Sequence, residues 1–155
     1  MKNRELVRQQ QRLDALFKRT RDATSDDVEM QAHWAKYLCI LCAGFIENAY
    51  SEIYGKFIDG AASAPVAAYA KRQISKTQNP NITKFIETAS AFKESWAHEL
   101  EKYVDEDGRK DAINSIMSNR HLIAHGKDSG ISLIRLREWY RKSLEVLEYV
   151  EQQIG

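Results

Sequence analysis

Arg120 and His125 stand five residues apart in the run Ser118-Asn119-Arg120-His121-Leu122-Ile123-Ala124-His125-Gly126. Arginine supplies a permanent planar cation suited to phosphate oxygens. Histidine gives and takes protons near neutral pH. A proton carrier beside a charge stabiliser is a minimal kit for cutting a phosphodiester without metal. His125 is the expected acid or base, and Arg120 the group that holds the negative transition state. His121 and Asn119 are the expected supports, positioning water or phosphate and holding the histidine tautomer. Lys127, just beyond, is an expected RNA contact.

Two rival chemistries use the same residue types. His121 and His125 are four apart, the spacing of a helical zinc pair, yet Leu122 stands where the His-Glu-x-x-His motif carries its glutamate. His33 and His98 have no evident route to that site, so no metal and no cofactor are expected. Cys39 and Cys42 form Cys-x-x-Cys, but they sit inside an apolar stretch of a long helical segment and read as core thiols.

The elements that must position these residues are helical throughout. The 155 residues are about one domain in length, with hydrophobic content of 43% and aromatic content of 10%. Two prolines and seven glycines leave long helices uninterrupted, and no strand pattern appears. The expectation is an all-α bundle over residues 1–155 with two long helices and several shorter ones. The net charge of +1 gives no global polyanion signature, so RNA contact must come from local patches. No targeting segment is apparent, and a cytoplasmic location is expected.

Residues 3 to 22 read as a first helix with Leu6, Leu13, Leu16 and Phe17 on one side and a basic opposite face. That face reads as solvated, with phosphate tracking as the alternative. Ser25 is the expected cap of a second helix reaching about Ile58, apolar all round between Leu38 and Ile46. Glu47 interrupts that run and requires a partner, for which Arg120 is the first choice, solvent being the other. A shorter helix is expected from Val66 to about Lys76, then a loop at Thr77-Gln78-Asn79-Pro80-Asn81. Asn81 or Thr83 caps the next helix, and a further segment runs from Phe92 to Val104. The motif helix covers residues 109 to 125 and Gly126 stops it. Ser132 caps the last helix.

On an ideal helix Arg120 and His125 lie about 140° apart and do not converge on one small target. Either the helix loosens before Gly126, or two chains pair so that each motif completes the other. The spacing therefore points to a homodimer.

Arg120, four intervening residues and His125 resemble the Arg-x(4–6)-His signature of the HEPN superfamily, small all-helical domains that include many metal-independent RNases. His121 fits the polar residue that follows the arginine there, and the Arg-polar-x-Ile-Ala-His-Gly run is similar to the RiboL-PSP type. The resemblance implies an endoribonuclease acting on single-stranded RNA at a composite homodimer site, with a toxin or defence role. It equally admits a non-catalytic domain that binds nucleotides, RNA or a partner protein. One branch pairs with an antitoxin that modifies a tyrosine two residues past the histidine. Lys127 occupies that place here, so that form of control does not carry over, and any antitoxin or other partner is unspecified.

Overall fold

A computed structural model describes residues 1–155 and contains seven helices and no strand. They are α1 (Arg4–Ala23), α2 (Val28–Ala61), α3 (Ala64–Ser75), α4 (Ile82–Phe92), α5 (Glu94–Val104), α6 (Arg109–Ala124) and α7 (Leu133–Ile154). The all-α expectation holds. No helix is long and apolar enough to cross a membrane.

Most boundaries follow from local capping chemistry. Asn3 Oδ1 accepts the amides of Glu5 and Leu6 to open α1. Asn81 and Ser132 cap α4 and α7 as expected. The cap of α2 is Asp27, not Ser25: its carboxylate accepts the Met30 amide at 3.0 Å. A carboxylate also complements the positive end of the helix, which a serine hydroxyl does less well. The expected helix from Phe92 to Val104 is also corrected. Phe92 closes α4, Lys93 is extended (φ −159°, ψ 121°), and α5 starts at Glu94.

α2 is the axle of the fold, packing on α1, α3, α6 and α7. Side chains from all seven helices join one apolar cluster of 33 buried residues. Its aromatic part includes Phe17 stacked on Tyr140 at 5.5 Å and Tyr50 edge-on to Phe85 at 5.1 Å. The Leu38–Ile46 stretch is not buried all round. Leu38, Cys39, Cys42, Ala43, Phe45 and Ile46 face the core, while Gly44 is exposed and Leu41 half-buried. With Met30, Trp34 and Tyr37, all exposed, Gly44 and the half-buried Leu41 form a largely open stripe at helical spacing along one side of α2.

Candidate active site

α6 owes its position to Ala112, Ile113 and Ile116, all fully buried, with Met117 beside them. The remaining face carries the motif. Arg120 is half-buried and forms no ion pair or hydrogen bond, while His121 and His125 are exposed. The imidazole rings of His121 and His125 lie 4.4 Å apart, tilted by 55°.

The end of the helix is tightly built. The Gly126 amide donates to Ile123 O at 3.1 Å and the Lys127 amide to Leu122 O at 2.9 Å, the paired bonds of a Schellman cap. Gly126 takes the left-handed conformation (φ 67°) that this cap requires. His125 is therefore not released by a loosened helix: its amide still reaches His121 O at 3.2 Å. Of the two ways to reconcile the Arg120–His125 spacing, the first is absent from the chain.

A polar cleft of about 330 Å³ lies on this face, lined by Asn79, Asn81, Asn114, Ser118, Arg120 and His121 over Met117. Its far wall is the loop between α3 and α4, held from two sides. Asn114 Oδ1 accepts the Ile82 amide at 2.9 Å, and the Glu47 carboxylate accepts the Asn79 amide. Glu47 thus has a partner, and it is the loop amide, not Arg120. His125 stands outside this cleft, alongside His121. Asn119 does not join it either: its amide donates to Ser115 O at 2.8 Å, committing the side chain to its own helix. Lys127 is exposed beside Asp128, which Lys36 approaches to 3.9 Å.

Asn79, Asn81 and Asn114 carry no signal in the sequence that marks them as site residues. Asn79-Pro80-Asn81 is legible as a loop, but nothing in its composition says that it folds back over the motif helix.

The rival chemistries fare poorly on donor placement. Within one chain no group of three or more His, Cys, Asp or Glu side chains gathers around one point, and His121 and His125 stand as a pair. Cys39 and Cys42 are unpaired and fully buried. Burial pushes the Cys39 thiol up to about 12 and the Cys42 thiol well above its ordinary value. Neither supplies a thiolate near neutral pH.

The family model for RiboL-PSP-HEPN matches residues 4–155. The chain belongs to the RiboL-PSP-HEPN family. No curated protein and no solved structure gives a match. Membership in this HEPN family agrees with the all-helical bundle and carries an RNase or nucleotide-binding role as the functional range.

Proposed function

We propose that this HEPN protein is a metal-independent endoribonuclease that cleaves single-stranded RNA at a site completed by a second copy of the chain. The observation that carries the reading is an Arg120 without a carboxylate partner, lining a polar cleft with two adjacent imidazoles at the same helix end. A guanidinium left unpaired is free to take a phosphate in bidentate fashion.

The chemistry balances with the substrate's own hydroxyl. One imidazole removes the proton from the ribose 2′-OH as O2′ bonds to phosphorus. The P–O5′ bond breaks, O5′ takes a proton from an imidazolium, and a 2′,3′-cyclic phosphate remains. Arg120 holds the added negative charge of the phosphorane. A duplex restricts in-line attack and hides the bases, which favours single strands. In this scheme His125 and Arg120 are the catalytic residues, and His121 positions the other imidazole.

Dimerisation follows from the fixed end of α6. Since the Schellman cap holds His125 away from the cleft that Arg120 and His121 line, a two-fold partner is the proposed means of bringing His125 to it. The largely open stripe of α2 offers the apolar surface, and the Lys36–Asp128 pair sets that part of α2 beside the motif. A toxin-like role in defence, restrained by an antitoxin or other protein partner, is the setting proposed for such an activity.

The deciding experiment is cleavage of a panel of single-stranded RNAs in the presence of EDTA. The protein should yield cyclic phosphate ends, and Arg120→Ala and His125→Ala should each lose about 10²–10⁴-fold. Circular dichroism should stay unchanged, since Arg120 makes no hydrogen bond to lose. A dimer that cuts nothing across the panel sinks the enzyme reading and leaves a non-catalytic domain that binds nucleotides, RNA or a protein.

A further inference from the structure

A second basic feature lies away from the cleft, in a groove of about 680 Å³ where the C-terminal end of α1 meets the N-terminal ends of α2 and α7. Arg21, Arg137 and Arg141 line it, over an apolar floor of Phe17, Leu133 and Ile134. Arg137 and Arg141 are four apart and share one face of α7. Neither forms a salt bridge or a hydrogen bond, whereas Arg21 meets the Asp22 carboxylate at 3.3 Å. Two further carboxylates are near, Glu138 in the groove lining and Asp14 close enough to feel Arg137, but neither forms an ion pair with Arg137 or Arg141. Phe17 is 3% exposed and Ile134 is 82% exposed, so the floor offers an aliphatic contact and no aromatic platform for stacking.

We infer that this groove binds the phosphodiester backbone of single-stranded RNA and guides the strand toward the motif. The inference rests on RNA being the substrate in the reading above. Two unpaired guanidiniums on one helix face suit phosphate oxygens, and a third from the facing helix lets the strand be gripped from both sides. The lack of a stacking ring makes the groove one of backbone positioning and not of base readout. The placement is apt because α6 ends at Ala124 and α7 begins at Leu133. The motif at the end of α6 and the groove residues Leu133 and Ile134 at the start of α7 are therefore joined by one connection, which carries Lys127.

The test is fluorescence anisotropy of a labelled single-stranded oligouridylate with the full chain, carried out in a His125→Ala background so that no cleavage intervenes. Arg137→Gln/Arg141→Gln should weaken binding by about tenfold and lower the salt slope by about 0.7 for each phosphate no longer neutralised. Arg137→Lys/Arg141→Lys, which keeps the charge, should retain most of the affinity and guards against a folding artefact. An oligodeoxythymidylate should bind about as well, since the backbone is what is held. Unchanged affinity in the Gln pair overturns the inference. So does an unmodified groove that takes polyglutamate and ignores RNA, which would assign it to an acidic protein segment. The two readings fail separately. Groove-dependent binding without any cleavage sinks the nuclease alone, and cleavage with Gln variants that bind normally sinks the groove alone.

Discussion

Glu47 on α2 accepts the backbone N–H of Asn79, thirty-two residues along the chain, and Asn79 sits in the left-handed region at φ 46°. One side chain from the central helix thus pins an unfavourable backbone turn that forms a wall of the cleft. Asparagine tolerates that conformation better than most residues.

Glu47→Ala should leave the Asn79 amide without its acceptor and cost about 1–3 kcal/mol in urea unfolding. Asn79→Ala should cost about 1–2 kcal/mol through the left-handed backbone alone. Glu47→Gln keeps an oxygen acceptor and should be much milder than Glu47→Ala in both stability and RNA cleavage. Equal losses for Gln and Ala would mean that the carboxylate's charge, not its hydrogen bond, matters.

The largely open stripe of α2 makes a prediction about assembly. Trp34 and Tyr37 are exposed and edge-on at 5.5 Å, and a side chain added at Gly44 meets nothing within the chain. Tyr37→Glu and Gly44→Arg should fold as well as the parent yet halve the mass seen by light scattering at micromolar concentration. Cleavage should fall with the dimer. A parent protein that is already monomeric, or variants that stay dimeric, would remove α2 as the interface.

Alkaline pH should destabilise the fold. Burial raises the thiols of Cys39 and Cys42 and the phenols of Tyr54 and Tyr140 above their ordinary values. Their folded forms hold protons that the unfolded chain gives up more readily. Their contribution is intact below the unfolded values, 9.0 for the thiols, and is lost as pH rises through the folded ones. Melting temperature should therefore drop steadily from about pH 9 upward. Native protein should also resist a thiol reagent at pH 8 until denaturant is added. Rapid labelling of either cysteine in the native state would contradict its burial.

Two phenol oxygens, of Tyr54 and Tyr140, are buried with no hydrogen-bond partner. Tyr140→Phe keeps the stack on Phe17 and removes a hydroxyl that carries a desolvation cost. It should raise stability by about 1 kcal/mol or leave it unchanged. Tyr50→Phe is the control, because its hydroxyl is 2.6 Å from that of Thr88 and should be missed. Destabilisation by Tyr140→Phe equal to that of Tyr50→Phe would reveal a hydrogen bond that the phenol makes.

The helical bundle and its caps were largely legible because they are local. Asn81, Ser132 and Gly126 announce helix ends through their own backbone chemistry, and Arg120, His121 and His125 belong to one short helix. What escaped depends on residues distant along the chain. Nothing near Glu47 says that its partner is a loop amide, and no glycine or proline fixes the exact position of the break, which falls at Lys93 instead of before Phe92. The open stripe escaped for a related reason. An apolar run shows that side chains prefer burial, but not that a neighbouring helix is there to provide it.

At 34 residues, or about 50 Å, α2 spans the molecule as one unbroken rod. The same rod carries the core residues, the Glu47 latch and the open aromatic stripe. Genetic changes along it will therefore resist sorting into separate classes for folding, assembly and catalysis. A library of substitutions in α2 should return correlated phenotypes with a helical period, whereas substitutions at Arg120 and His121 in α6 should fall on activity alone.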